Sequence, residues 1–151
     1  MFRNREYRTG MKWCIWRWKD IDSDYLTRLH VIQTPWGSIC LHWIQRADAE
    51  RHLHDHPVYF VALILYGWYT EDRKTTYITQ HSVWFREGIF TRRWFNFIAA
   101  SAADTHRIIA CHPHTLTLCF MGPNRREWGF HTPEGWVSWK DYDTAASSRI
   151  T

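Results

Sequence analysis

The sequence predicts an all-β chain: a single-domain sandwich or barrel of about eight to ten short strands. Three observations predict it. Turn residues punctuate β-branched and aromatic runs roughly every eight to twelve positions, as at Pro35-Trp36-Gly37, Gly122-Pro123-Asn124 and Thr132-Pro133-Glu134-Gly135. No stretch keeps the apolar period of a long helix. The longest apolar run, Val58 to Tyr66, has the Val, Tyr, Phe, Ile and Leu content of a strand buried on both faces, and it stops at Gly67.

Residues 1–24 read as a basic, aromatic arm packing on the barrel. Trp13, Trp16 and Trp18 fit neither the helical nor the strand period, so the arm's conformation stays open. Residues 20–24 form an acidic turn. The barrel itself is expected over residues 25–140, with a loose polar tail over 141–151. Its first strand covers residues 25–33, with Leu29 and Val31 on the core side, and its second covers 38–45. A charged loop follows at 46–51, then the histidine segment and its apolar continuation. Glu71-Asp72-Arg73-Lys74 reads as a charged turn, followed by strands at 75–79 and 82–85 and a turn at Gly88. Residues 91–98 alternate as a strand should. A loop of small residues at 99–105 leads to His106. Two antiparallel strands, 106–110 and 115–121, flank a turn at Cys111-His112-Pro113-His114. Short aromatic strands at 128–131 and 136–140 close the chain.

A chain of 151 residues can bury a real core, and eleven tryptophans exclude a disordered one. The formal charge of +4 is mild and concentrated near the N-terminus, the pattern of a solvated face; nucleic acid is not the expected partner. No apolar run reaches the roughly 18 residues of a membrane span, and the N-terminus lacks a signal peptide's apolar core, so a cytoplasmic protein is expected. The four cysteines, Cys14, Cys40, Cys111 and Cys119, have no CxxC spacing and read as reduced thiols. Walker, GxSxG, GxGxxG and HExxH motifs are absent.

The chemistry concentrates at Arg51-His52-Leu53-His54-Asp55-His56-Pro57. In an extended chain His54 and His56 point to one side, about 7 Å apart. Two imidazoles so placed can converge on one ion through metal–nitrogen bonds of roughly 2.0–2.1 Å. His106, at the start of a later strand, is the best third ligand. His52 shares the parity but enters before the buried run, and His112 and His114 sit on a turn; all three read as rim or surface groups.

This pattern resembles the cupin superfamily. His54-Asp55-His56 and Gly67 are similar to the first cupin motif, and His106 to the histidine of the second. The stretch from His54 to Gly67 and the tail from Gly122 to His131 are also similar to small cupin-like proteins of bacteria and phages. The resemblance implies a jelly-roll β-barrel, the double-stranded β-helix. Phe60 stands where the family places a glutamate ligand, and Ser101 and Ala103 where the second motif has Pro and Gly. The resemblance therefore implies a three-histidine site (His54, His56, His106) similar to that of thiol dioxygenases. It would hold one divalent transition metal: iron first, with zinc, nickel, manganese and copper as alternatives.

The expected function is a metal-dependent, dioxygenase-like enzyme acting on a small anionic molecule. Arg107 and Arg126 are the candidates to grip the anion, with Arg125 beside them, and Tyr66 could offer a phenol near the ion. Asp55 is expected to pair with Arg51 or Arg107. Trp43, Trp68, Trp94 and Trp128 could line a stacking pocket. The alternative is a cupin that binds or sequesters a nucleotide-like or sugar-like ligand without turnover. A third reading is an interaction module that kept the barrel and lost the site, for which Phe60 speaks. A homodimer through sheet edges is the expected assembly.

Overall fold

The computed structural model describes residues 14–22, 25–101 and 103–142. Among them are twelve strands and no helix. The strands are β1 (Cys14–Asp22), β2 (Leu26–Thr34), β3 (Gly37–Ile44), β4 (Leu53–His54), β5 (Phe60–Tyr66) and β6 (Trp68–Ile78). They continue as β7 (Val83–Arg93), β8 (Phe97–Ala100), β9 (Thr105–Cys111), β10 (Thr115–Met121), β11 (Gly129–Thr132) and β12 (Gly135–Ser138). The predicted loose tail begins at the edge of what is described, and residues 143–151 lie outside it, as do residues 1–13 of the arm.

Two antiparallel sheets of six strands face each other, in the orders β1-β2-β3-β10-β5-β8 and β12-β11-β4-β9-β6-β7. Cys40 on β3, Cys119 on β10 and Ala62 on β5 are direct cross-strand partners and fill the centre of the first sheet's inner face. Ile64, Ile98 and Ile108 complete the core with Leu26, Ile44 and Tyr69. Side chains, most of them small or branched, fill the interior of a small barrel.

Five expectations shift. The β1 segment, whose conformation the sequence left open, pairs along β2, and Asp20 and Asp22 lie within it rather than in a turn. On β2 a register shift between His30 and Ile32 changes the parity. Leu26, Leu29 and His30 are buried there, and Val31 is half-buried. The segment read as a charged turn, residues 71–74, is the middle of β6. Gly88 lies inside β7 rather than in a turn. The strand expected over 91–98 breaks instead at Phe95, whose φ is 60°; Asn96 Oδ1 accepts a 2.8 Å hydrogen bond from the Arg93 amide there.

Gly67 joins β5 to β6 with φ near +80°, which L side chains rarely adopt. A Cβ at this position would stand 2.7 Å from Thr115 Oγ1 and 3.1 Å from Thr115 Cα. Thr115 Oγ1 is itself fixed, donating to the carbonyls of Trp68 and His112. Gly67→Ala is therefore expected to cost about 1–3 kcal/mol, read as a lower urea midpoint at unchanged m-value.

Candidate metal centre

The HxH segment enters the second sheet through β4, where His54 pairs with His106 on β9 on one side and with Phe130 on β11 on the other. His56 follows two residues later on the same side. The result brings His54, His56 and His106 together: one ligand atom from each lies within 4.8 Å of the other two. The His56 and His106 Nε2 atoms are 2.9 Å apart. Ring centroids are 5.2 Å apart for His54 and His56, and 4.9 Å for each pair with His106.

Burial sets the protonation of His54 and His56. It pulls His54 down to about 4, with Asp48 opposing and His106 assisting. It also pulls His56 well below the usual imidazole range, with His106, His54, Arg28 and Arg73 adding to the effect. Neutral imidazoles are the form that ligates metals. His106 Nδ1 lies 2.8 Å from Glu71 Oε2, which places its proton on Nδ1 and turns the Nε2 lone pair toward the other two rings. The donor set, its protonation and its convergence all fit a divalent transition metal.

Sequence reasoning missed the groups behind the ligands. Glu71 is fully buried on β6, just past a register shift against β9, and is bonded to His106, to Arg92 Nε at 2.8 Å and, at 3.6 Å, to Arg73. Burial alone would raise its carboxyl, but His106, Arg92 and Arg73 together hold it down to about 2. Asp48 accepts the Ile108 amide at 2.6 Å and sits 3.9 Å from His54 Nδ1. The alternation of Glu71 and Arg73 with Asp72 and Lys74 was the available signal. Opposite charges two apart on a strand face the same way and neutralise each other.

The other candidates are placed elsewhere. Arg107 follows His106 and so faces the opposite side of its sheet; it pairs with Asp72 at 3.5 Å and donates to the Arg51 carbonyl. Arg126 pairs with Asp55 at 2.7 Å and donates to the His56 carbonyl, behind the ligands. Arg125 stands over the Tyr59 ring. Tyr66 is 57% exposed at the far end of β5, against His112. His52 contacts the Tyr142 hydroxyl at 2.9 Å, outside the triad.

Asp55 pairs with neither Arg51 nor Arg107. It is buried, and its carboxylate accepts from the Gly129 amide (2.9 Å), Trp136 Nε1 (3.0 Å), His131 Nε2 (3.1 Å) and Arg126. Trp128 flanks His54 at 6.0 Å, and Phe60 closes the other side with its ring 4.8 Å from His56. Trp68 and Trp94 line a separate cleft, and Trp43 donates to His114.

Inside the barrel Arg28 donates its Nε to His42 Nε2 at 2.7 Å, and Cys119 Sγ lies 3.4 Å from His42 Nδ1. Burial, then Arg28 and then His30, hold His42 well below 6.5. An imidazole that is neutral when folded and titrates near 6.5 when unfolded stabilises the fold above pH 6.5, and that contribution is lost as pH falls below it. The stability lead of wild type over His42→Gln should therefore shrink on going from pH 7.5 to 5, by at most about 1.4 kcal/mol per pH unit. Urea titrations of both proteins at each pH check it, and a constant difference would count against a neutral His42.

No family model matches the chain, and no curated protein does. Solved structures do. KdgF from Halomonas sp. superposes with a TM-score of 0.53 at 14% identity, covering 74% of this chain and 96% of that one. A cupin-2 domain from Rhodospirillum rubrum gives 0.51 at 12% identity, covering 89% and 84%. A variant of oxalate decarboxylase from Bacillus subtilis gives 0.52 at 12%, over 98% of this chain but 41% of that larger one. The two facing sheets, their strand order and these neighbours together make the fold of this chain the cupin jelly roll.

Proposed function

We propose that the chain is a mononuclear metal-dependent cupin enzyme acting on a small anionic molecule, with His54, His56 and His106 as the ligands. The single observation that carries this reading is the convergence of the three imidazoles within 4.8 Å, backed by Glu71 on His106. A bound divalent ion would supply Lewis acidity and, if it is iron, access to dioxygen chemistry of the dioxygenase type. The chain's own groups do the rest. Phe60 and Trp128 keep water from the ligand rings, and Glu71 holds the proton of His106 on Nδ1. With Arg107 and Arg126 committed to Asp72 and Asp55, Arg28 is the cation for the substrate anion: it lies inside the barrel, and its charge reaches His56.

A second reading, binding without turnover, is favoured by Phe60, whose ring stands against His56 where the family's acidic ligand would be. A uridine complex of Streptomyces PAC13, a fold neighbour at 6% identity and TM-score 0.50, supports a nucleoside-like ligand for that case.

Elemental analysis of protein purified without chelator or affinity tag, alongside the His54→Ala, His106→Ala double variant, tests the site. About one transition-metal ion per chain, absent from the double variant, is the expected result. It justifies screening thiols and other small acids for oxygen uptake by the iron-loaded protein. A metal content that is the same in both proteins, or nil after anaerobic iron and zinc loading, overturns the metal reading and leaves the binding one.

A further inference from the structure

A cleft of about 610 Å³ lies at one end of the β6–β7 pair, lined by Gly67, Trp68, Thr70, Thr91, Arg93 and Trp94. Strand parity puts it on the outer face of the sheet. Tyr69 and Glu71 are buried, so Trp68 and Thr70, which alternate with them on β6, face outward. On β7 Arg92 turns inward to Glu71 at 2.8 Å, so its neighbours Thr91 and Arg93 turn outward. Trp68 is the cross-strand partner of Arg93, and Thr70 of Thr91, so the four side chains share one face. β7 is the edge strand of its sheet.

The polar groups of this cleft are open to solvent. Arg93 is exposed, and its side chain has no ion pair, hydrogen bond or ring contact among the described residues. No aspartate or glutamate lines the cleft to compete for it. The Thr70 and Thr91 hydroxyls are exposed and lie 3.0 Å apart. One of their two hydrogens serves that bond, which leaves the other to donate outward.

The aromatic walls are held in place. Trp68 is 38% exposed and Trp94 is 64% exposed. The Trp68 carbonyl accepts from the His112 amide at 2.8 Å and from Thr115 Oγ1 at 2.9 Å. Trp94 stands on a turn closed from both sides: the Asn96 amide donates to the Arg93 carbonyl, and the Arg93 amide donates to Asn96 Oδ1. Within that turn Phe95 has a φ of 60°, a left-handed backbone that is rare for a bulky residue, and its ring stacks on Trp94 at 4.6 Å. A strained turn that holds an exposed indole beside an unpaired guanidinium costs stability and pre-organises both groups for a ligand.

We propose that this cleft binds a planar ring carrying an oxyanion. Trp68 and Trp94 hold the ring, and the Arg93 fork, with the free threonine hydroxyl, holds the anion. The site lies outside the barrel and does not depend on a metal in the triad.

The test separates ring from anion with three probes: AMP, adenosine and inorganic phosphate. Each is titrated into the full ¹⁵N-labelled, metal-free chain. The amides of Trp68, Thr91 and Arg93 and the indole N–H signals of Trp68 and Trp94 report the cleft, while the Arg28 and His42 amides report the barrel interior. AMP should move the cleft signals with a dissociation constant at least tenfold below those of adenosine and of phosphate. Arg93→Gln, at an exposed side chain, should bring AMP to the affinity of adenosine and leave adenosine unchanged. Trp94→Ala should weaken AMP and adenosine together and leave phosphate unchanged. If Trp94→Ala does not fold, the wild-type order and Arg93→Gln decide the matter. No cleft shifts with AMP, adenosine as strong as AMP, or unchanged AMP binding in Arg93→Gln would overturn the proposal.

Discussion

Glu71→Ala is expected to destabilise the metal-free chain by about 3–5 kcal/mol and to weaken metal binding by roughly 10- to 100-fold. The stability loss follows from what the carboxylate leaves behind. Arg73 has a side chain 6% exposed, and Arg92 one 25% exposed; both lose a charged partner inside the protein. Truncating one member of a buried ion network strands the others. The affinity loss follows from His106, whose Nδ1 proton no longer has a carboxylate to hold it. Glu71→Gln separates the two effects. It keeps the shape and one acceptor, so it should recover part of the affinity if the amide oxygen faces His106, yet it still leaves the arginine charges uncompensated. Urea midpoints give the first effect and chelator competition with zinc gives the second. A folded Glu71→Ala protein with wild-type zinc affinity would mean that His106 is oriented by packing alone.

Asp55→Ala should cost about 3 kcal/mol or more, and Asp55→Asn nearly as much. The reason is the sign of the partners. Gly129 N–H, Trp136 Nε1–H, His131 Nε2 and Arg126 all point donors at one carboxylate. An asparagine offers a single oxygen and turns an NH₂ toward the remaining donors, so the isosteric change does not rescue. These four partners come from the loop after β10 and from β11 and β12, so Asp55 clamps the last strands onto the ligand segment. Thermal unfolding of the two variants checks the prediction. A rescue by asparagine would show that only one of the four bonds matters.

The sequence makes the ligands legible and hides their supports, for a physical reason. His54, His56 and the buried run to Gly67 are local: period two, apolar continuation and a glycine stop can be read from adjacent residues. The convergence of His106 on them was reached through the resemblance together with its place at a strand start. Four charged residues in a row resemble a solvated loop, which hides the buried strand position of Glu71. Nothing local announces that β9 will lie beside it and supply His106. The partners of Asp55 are not the nearby Arg51 or Arg107 but groups more than seventy positions away. Arg107 and Arg126 have the right chemistry for an anion but not the right placement. Strand parity excludes Arg107, and the reach of Asp55 claims Arg126. Tyr66 has the right parity on β5 but lies six positions from Phe60, at the strand's other end. That parity can give the side and not the height is a general limit of reading strands from sequence.

β4 is two residues long, and its ladder to β9 consists of the His54–His106 pair. A ladder that short has little cooperativity of its own, so the segment carrying two of the three imidazoles is the weakest seam of its sheet. An ion gripped by the triad would act there as a rivet between segments far apart in sequence. Amide exchange at residues 53–56 would then slow on metal loading more than anywhere else in the barrel, making occupancy of the site visible as a local change in breathing with no change in the average fold.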